Sequence, residues 1–537
     1  MVVNIPALIS IIIFYVAIFI VGIVAGRKSA RKTTTDEMYL ASRNKGMCIA
    51  FFTITATMVG GGYINGTAEM MAASGLVNSL APVGYSLSML IAGVMYAPTM
   101  RRNNCVTAFD MYQRKYGRRV GGLLFFPQLC GDIFWTAAIL SALGTTVALI
   151  LDISDTLAII VSAFVAVIYT FLGGLVAVAY TDVIQLLCMT FGLFLAFPFA
   201  MHHPAVDLSR VSDTWIGHLD TRDLGSDIDT WLLLVLGGIP WQVYYQRMFA
   251  CKTTKITRVA TTFAVGFCVV LTIPSAVIGV IGKAADWNQT SYEGLVPLPK
   301  SKYNAILPMV LNYLCPLPVA VIGLGAVAAA VMSSTDSCVL STGTVFAKNI
   351  YTDVFRQQAS VREQIWVLRI AIVITGIIAT VLAIAVTTIY VLCSDLLYIV
   401  LFPQLTCVLW FRPSNTYGSL MAYIFALVIR VASGEPLLGI PAALKFPMYD
   451  DTLGQQFPFR TVTMLISFAI ITGVSVLTNC LFKRGILPLK YDVFRCIEKE
   501  SVRFEKMQDV MNNPQGEMTQ NKQEATALKN GEETQML

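Results

Sequence analysis

Apolar runs about twenty residues long recur along the whole chain, and a run of this length crosses a lipid bilayer as one α-helix. Polar loops separate the runs, so that 56% of the 537 residues are hydrophobic and only 13% are charged. Soluble proteins carry about twice this share of charge. We therefore predict an all-α polytopic membrane protein embedded in the lipid bilayer. The net charge of +6 comes from basic loops and does not indicate nucleic-acid binding.

Thirteen transmembrane helices are predicted. They lie near residues 5–26, 47–71, 76–100, 120–150, 155–175, 181–201, 229–249, 259–282, 307–347, 365–387, 390–411, 415–433 and 461–482. The ninth region is long enough for one span and an approach helix. Residues 1–490 are thus predicted to form one transmembrane domain. The mostly polar stretch 491–537 is predicted to be a cytoplasmic tail that is largely disordered.

The basic residues of the loops predict how the chain is oriented. Loops 27–45 and 101–119 carry six Lys or Arg residues each, and loop 247–258 carries four. Residues 203–229, by contrast, carry two Arg and six Asp. Because basic loops stay in the cytoplasm, the N-terminus is expected outside and the C-terminus inside. The sequon at Asn288 then falls in an outer loop and is a predicted glycosylation site.

Two of the predicted spans contain helix breakers near their centre. The second span carries three consecutive glycines, Gly60 to Gly62, and the seventh carries "GGIPWQ", Gly237 to Gln242. Glycine destabilises a helix by about 1 kcal/mol relative to alanine, and lipid cannot satisfy the backbone groups that a break exposes. Breaks at corresponding positions of two halves are typical of transporters built from inverted repeats. The sequence therefore predicts a substrate or ion site at these breaks.

The polar residues of the spans favour a cation. Acidic residues lie in or at the edge of spans at Glu69, Asp110, Asp132, Asp182, Asp336 and Asp395. No clearly basic residue is expected at mid-span, and intramembrane carboxylates usually mark ion or substrate paths. The stretch "AAAVMSSTDS" (328–337) also places serine hydroxyls close to Asp336. Oxygen ligands of this kind suit a hard cation such as Na⁺.

Aromatic residues add a second recognition element. Tyr85, Trp135 and Trp241 lie in predicted spans, and Trp241 lies at the second break. Aromatic faces attract a cation within about 6 Å of the ring centroid, and they suit quaternary ammonium groups, which have no N–H to donate. The sequence shows no nucleophile–base set, phosphate loop or metal-ligand spacing, so an enzyme is not predicted.

Taken together, these segments resemble the sodium:solute symporter family. Motifs similar to those found across the family are "AVAYTDVIQ" (177–185) and "AVMSS" (330–334). Motifs that look specific to its choline-transporting branch are "GGGYINGTAE" (60–69), "GGLLFFPQLCGDIFW" (121–135), "GGIPWQVYYQR" (237–247) and "DWNQT" (286–290). The resemblance covers about residues 5–495. It implies a leucine-transporter-type fold with five-plus-five inverted repeats, near 47–201 and 229–411.

The resemblance also implies which residues bind. One Na⁺ site would use the carbonyls of Ala56, Val59 and Ala330 and the hydroxyls of Ser333 and Ser334. A second polar cluster, for a further cation or for coupling, would join Thr57, Asp182, Asp336 and Ser337. The substrate cage would use Tyr85, Trp135, Trp241 and the position of Met58. This branch usually has tryptophan at Met58 and a further tryptophan near the run 387–398, and both are missing here.

The function implied by the resemblance is high-affinity choline uptake, dependent on Na⁺ and Cl⁻, which supplies acetylcholine synthesis. It implies a plasma-membrane protein of presynaptic membranes and vesicles, whose tail binds trafficking proteins and whose chains form homo-oligomers. Two alternatives stay open because of the missing tryptophans. One is a Na⁺-coupled symporter for another small cation or organic solute. The other is a ligand-gated sensor of the same fold.

Overall fold

The computed structural model describes residues 16–22, 24, 39–151, 153–219, 221, 223–385, 390–450 and 454–496. Most of the first predicted span (5–26) and most of the predicted tail (491–537) lie outside these residues. The first three residues of the run 387–398 also lie outside them.

The described chain is mostly helical. Its helices are, in order, α1 Met47–Met58, α2 Gly61–Ala73, α3 Ala81–Ile91, α4 Ala97–Arg102, α5 Phe109–Tyr116, α6 Arg118–Leu123, α7 Phe125–Leu151, α8 Asp155–Met201, α9 Leu224–Gly237, α10 Gln242–Phe249, α11 Thr254–Ala284, α12 Ile306–Leu314, α13 Leu317–Val345, α14 Val361–Ala385, α15 Phe402–Trp410, α16 Thr416–Ala432 and α17 Phe459–Lys483. Segments of π-helix, at Ala92–Tyr96, Phe346–Phe355 and Leu397–Leu401, continue α3, α13 and the start of α15. The strands Tyr449–Asp450 and Gly454–Gln455 form a small antiparallel hairpin.

Eight helices of the described chain are long and apolar enough to cross a membrane, and the pair α1–α2, bent by 49°, makes a ninth if it is one span. These nine fall at the second, third, fourth, sixth, eighth to eleventh and thirteenth predicted spans. Shorter apolar helices, Asp155–Ile168 and Thr416–Ala432, fall at the fifth and twelfth. The seventh predicted span is divided between α9 and α10.

Helix α8 covers two predicted spans with one sharp turn between them. Gly174 adopts φ +61° and ψ −175° at this turn. Residues that have a side chain rarely adopt a positive φ, so glycine is the residue that permits this turn. The fifth and sixth predicted spans therefore follow each other without a long loop.

Helix α13 lies at the centre of the bundle. Its stretch 326–345 is buried without interruption, and it packs against α7 and α8 and also contacts α1, α2 and α10. Alanine, glycine and serine dominate its sequence, and such small side chains let neighbouring helix backbones approach closely in a membrane. The short helix α12 precedes it, as the approach helix predicted in the ninth region. Helices α1 and α2 beside the first break and α10 beside the second therefore contact the same central helix.

Candidate functional site

The first break frees a backbone carbonyl at the end of α1. The amide of Gly60 donates to the carbonyl of Met58 at 3.0 Å, instead of to Ala56 four residues back. The Ala56 carbonyl oxygen instead lies 3.1 Å from the hydroxyl of Ser333 on α13. Gly60 is extended (φ −105°, ψ −178°), and the chain then enters α2. The break thus turns a helical carbonyl toward a serine of the central helix.

The hydroxyls of α13 connect this carbonyl to a carboxylate. Ser333 Oγ also lies 2.7 Å from Asp182 Oδ1, so its single proton serves either oxygen. Ser334 Oγ donates to the Thr57 carbonyl at 3.4 Å. A Cβ placed on Gly60 would lie 1.9 Å from Ser334 Oγ, which shows how closely α13 approaches the break.

The structure brings most of the predicted sodium residues together at this junction. The buried residues of the predicted set are Ala56, Val59, Ala330, Ser333 and Ser334. The carbonyl oxygen of Ala330 lies 3.7 Å from the Cβ position of Gly60, on the same side as Ser334. Backbone and hydroxyl oxygens of this kind are ligands for a hard cation. Val59 is the C-cap residue that follows α1, and its amide donates to the Thr55 carbonyl.

The second break places Trp241 against the other predicted aromatic residues. Trp241 is extended (φ −68°, ψ 116°) between α9 and α10. Its ring centroid lies 5.3 Å from that of Trp135 and 6.1 Å from that of Tyr85, and Tyr85 and Trp135 are 6.1 Å apart. The predicted cage residues, which come from three separate helical regions, therefore form one cluster. We call Tyr85, Trp135 and Trp241 the aromatic cage.

The three rings pack closely against one another. The separations of 5.3, 6.1 and 6.1 Å put each centroid about 3.4 Å from their common centre, and the ring planes meet at 55° to 73°. A ring face attracts a cation within about 6 Å of its centroid, so the common centre lies within this distance of all three rings. The exposed fractions of Tyr85, Trp135 and Trp241 are 1%, 7% and 3%. The cage is therefore closed to solvent in this conformation.

Met58 lies at the edge of the cage and contacts a tyrosine that the sequence analysis missed. The Tyr244 hydroxyl donates to Met58 Sδ at 3.1 Å, and the Tyr244 ring lies 6.0 Å from that of Trp241. Met58 is the last residue of α1, directly before the first break. This contact links the first break to the cage. Tyr244 follows Trp241 by three positions at the start of α10, a spacing that placed it near the break.

A carboxylate lies behind Trp241. The indole N–H of Trp241 donates to Asp132 Oδ1 at 2.7 Å. Gln128 Nε2 donates to the same oxygen at 2.8 Å, and the Thr342 hydroxyl donates to Oδ2 at 2.5 Å. The sequence analysis noted Asp132 as an intramembrane acid but did not include it in the cage. Its position three residues before Trp135 on α7, on the same helix face, was the available signal.

The sequence analysis missed a buried basic residue. Arg247, counted above as a loop residue, lies in the last turn of α10 and is 1% exposed. Its Nε donates to Thr57 Oγ1 at 3.1 Å, and its Nη2 donates to Ser337 Oγ at 2.5 Å. The break before α10 keeps this helix inside the bundle. A charge near the predicted end of a span is therefore fully buried.

The second predicted polar cluster thus contains cations of the protein itself. Asp182 and Asp336 both lie within electrostatic range of Arg247, and Lys45 lies within range of Asp182. Neither oxygen of Asp336 receives a hydrogen bond from a side chain of the described residues. Two carboxylates therefore face two basic side chains. Thr57 Oγ1 and Ser337 Oγ lie 3.3 Å apart within this cluster.

Two further acids are paired away from the cage. Asp395 bonds to Arg430 and lies 3.3 Å from Arg460 Nε. Asp110 lies 2.7 Å from Lys348 Nζ. Burial disfavours the charge of Asp110, but Lys348 and several hydrogen-bond donors outweigh this effect, and the pKa of Asp110 is lowered. These acids stabilise the bundle through ion pairs instead of facing the cage.

Comparison with known proteins gives the family. A sequence profile of the sodium:solute symporter family matches residues 38–425. The chain belongs to the sodium:solute symporter family. This symporter is 48% identical over 502 residues to high-affinity choline transporter 1 of Drosophila melanogaster, covering 92% of this chain and 82% of the fly protein. It is 45% identical over 516 residues to the human high affinity choline transporter 1, covering 92% and 89%.

Among solved structures, a Na⁺-coupled sialic acid symporter in a substrate-bound outward-open state matches with a TM-score of 0.73. The match covers 88% of this chain and 97% of that protein at 17% identity, so it shows a shared fold. The family profile and the fly and human relatives confirm the predicted family. The relatives are transporters and not enzymes, and membership of this family implies coupling to Na⁺. This symporter is thus a multi-pass membrane transporter.

Proposed function

We propose that this symporter carries choline into cells together with Na⁺. The observation that supports this most directly is the aromatic cage, in which Tyr85, Trp135 and Trp241 lie within 6.1 Å of one another. A quaternary ammonium group donates no N–H bond, so ring faces suit it better than fixed acceptors do. The name of the fly and human relatives, high-affinity choline transporter, supports the same substrate.

Na⁺ is proposed to bind at the first break. Its ligands would be the carbonyls of Ala56, Val59 and Ala330 and the hydroxyls of Ser333 and Ser334. A cation there would replace the hydrogen bond between Ser333 and Ala56 and would hold α1 against α13. Because Met58 ends α1 and contacts Tyr244 beside Trp241, holding α1 also orders the cage. Na⁺ binding would therefore favour substrate binding.

The second polar cluster is proposed to serve coupling and not to hold a second Na⁺. Arg247 already donates to the hydroxyls of Thr57 and Ser337. With Lys45, it also balances the two carboxylates, so a further cation would leave an excess of positive charge. Asp182 shares the Ser333 hydroxyl with the sodium residues. A movement of Ser333 would therefore shift Asp182 and, through it, Arg247. Because Arg247 lies on α10, the movement would also shift Trp241, which precedes this helix in the cage.

The remaining features of the proposal follow the family resemblance. They are thirteen transmembrane helices with five-plus-five inverted repeats, an outside N-terminus, a cytoplasmic tail that binds trafficking proteins, Cl⁻ dependence, homo-oligomers, and a plasma-membrane role in presynaptic acetylcholine supply. Asn288 is exposed, as glycosylation requires. Each cation that moves inward across an inside-negative membrane gains about 2.3 kcal/mol per 100 mV. Choline carries its own charge, so the potential would drive it directly.

The test is uptake of radiolabelled choline by cells that express the full chain. We expect uptake that requires Na⁺, that is lost when Na⁺ is replaced by N-methyl-D-glucamine, and that falls when Cl⁻ is replaced by gluconate. Untransfected cells provide the background. Absence of Na⁺-dependent choline uptake at normal surface expression would contradict the proposal, and insensitivity to gluconate would contradict its chloride part alone.

A second candidate is supported by Met58, which stands where the choline branch usually has tryptophan. A thioether is polarisable but presents no ring face to a cation. The site would then suit another small cation or an organic solute, or would act as a ligand-gated sensor. Competition of labelled uptake by a panel of solutes separates the substrates. Ligand-evoked current without accumulation of tracer would indicate the sensor.

A further inference from the structure

The carboxylate of Asp132 lies behind the aromatic cage with hydrogen-bond donors on both oxygens. Trp241 Nε1 and Gln128 Nε2 point at Oδ1, at 2.7 and 2.8 Å, and Thr342 Oγ1 points at Oδ2 at 2.5 Å. Trp241 and Gln128 donate, as they would to an ionised carboxylate, whereas the single proton of the Thr342 hydroxyl serves either Asp132 or the Cys338 carbonyl at 3.0 Å. The side chain of Asp132 is 0% exposed. The carboxylate is therefore enclosed by protein groups.

Three other buried acids of the described chain lie near a basic residue, and Asp132 differs from them. Asp110 pairs with Lys348, Asp395 pairs with Arg430, and Asp182 lies near Arg247. Within the described chain, no lysine or arginine pairs with Asp132. A buried carboxylate without a cation is costly, because hydrogen bonds alone do not replace its hydration. A cation that enters the adjacent cage would supply the missing charge.

We propose that Asp132 is the counter-charge of the aromatic cage. It orients the Trp241 ring through the indole N–H, and its negative potential makes the cage prefer a quaternary ammonium ion over a neutral molecule of the same shape. The ligand contacts the rings and does not contact Asp132, so this is a positioning and specificity-determining residue. The ligand class rests on the function proposed above, whereas the role of the charge follows from the contacts of Asp132.

The expected size of the effect follows from the geometry. Asp132 Oδ1 lies 2.7 Å from the indole nitrogen, so a cation on the ring face would lie about 7 Å from the carboxylate. At an effective dielectric constant of about 20, the attraction between the cation and the carboxylate at this distance corresponds to roughly a 50-fold difference in cation affinity between a charged and a neutral side chain. Rearrangement of the site reduces this figure, so we expect at least about a tenfold loss on removing the charge.

The test compares binding of tetramethylammonium and of 3,3-dimethylbutan-1-ol, the neutral carbon isostere of choline, to the purified full chain by calorimetry in NaCl. Asp132→Asn keeps the size and one acceptor oxygen. It should weaken tetramethylammonium binding at least about tenfold and change binding of the alcohol by less than about threefold. Thr342→Val removes a donor from Asp132 but keeps the charge, and should leave the ratio of the two affinities unchanged. Asp207→Asn, in an exposed loop, controls for the change in total charge.

Equal losses for both ligands in Asp132→Asn would overturn the proposal and make Asp132 a packing residue. Unchanged binding of both ligands would also overturn it. If Asp132→Asn does not fold, the wild-type protein still tests the proposal. Equal affinity of the wild type for the cation and the alcohol, or binding of neither, would contradict a counter-charge in the cage. If the wild type does not take up choline, only the proposed function is contradicted. The role of Asp132 is tested separately, because its assay measures tetramethylammonium binding.

Discussion

Replacing Gly60 with alanine tests whether the close approach of α13 to the first break is needed for sodium coupling. The added methyl group would lie 1.9 Å from Ser334 Oγ and 2.5 Å from Ser334 Cβ. Rotation of the hydroxyl relieves the first contact but not the second. A normal carbon–carbon contact of about 3.5 Å requires the break and α13 to separate by about 1 Å. Overpacking of this kind costs about 1–3 kcal/mol, which corresponds to about a 5- to 150-fold loss if it falls on the sodium site.

The assay is a Na⁺ titration of choline uptake at equal surface expression. We expect the half-saturating Na⁺ concentration of Gly60→Ala to rise at least about fivefold. Gly62→Ala is the matched control, because its Cβ would lie 3.7 Å from Ile139 and from the Trp135 ring, an ordinary contact. Its half-saturation should stay within about twofold of the wild type. A wild-type Na⁺ dependence in Gly60→Ala would refute the reasoning, and so would equal damage in Gly62→Ala.

Four further predictions concern the two breaks. Ser333→Ala should raise the half-saturating Na⁺ concentration more than it lowers surface expression, because it removes a proposed ligand with little change in volume. An unchanged Na⁺ titration would show that this serine does not bind Na⁺. Asp182→Asn should lower uptake at least about tenfold while the protein still reaches the surface, since an Arg–carboxylate interaction is broken in a buried cluster; near-normal uptake with normal voltage dependence would make it a packing residue. Trp241→Ala should weaken choline binding by about 2 kcal/mol or more, about thirtyfold, in competition assays, whereas an equal loss for neutral ligands would indicate collapse of the site. Met58→Trp should tighten choline half-saturation about two- to thirtyfold without a gain for the neutral isostere; weaker choline binding would mean that overpacking against Tyr244 outweighs the new ring face.

The helices and their breaks were predictable because both are local properties of the chain. The length of an apolar run determines whether it spans a bilayer. Glycine and proline interrupt helical hydrogen bonding where they occur, and both spans are interrupted in the structure, at Gly60 and around Pro240. The residue types at the breaks also indicated a cation site. The predicted sodium and cage residues are adjacent in the structure, although their binding roles stay predictions.

The residues that were missed have their partners far away in sequence. Arg247 reaches Thr57 across 190 residues, and Asp132 reaches Trp241 across 109. Pattern analysis assigned Arg247 to a loop, because a charge near the end of a predicted span is most often exposed to water. It had no means to pair Tyr244 with Met58. These contacts depend on how tilted helices pack, and small residues of α13 permit that packing.

The sequence by itself therefore determined that this is a polytopic helical membrane protein with two interrupted helices, and which kinds of side chain lie at the interruptions. Only the tertiary structure decided which carboxylates are paired. Asp395 pairs with Arg430 and Asp182 lies within electrostatic range of Arg247, whereas Asp132 has the indole of Trp241 and two neutral partners. The physical reason is that the number of charges is a property of the chain, but the energy of a buried charge depends on distances of a few ångström to groups on other helices.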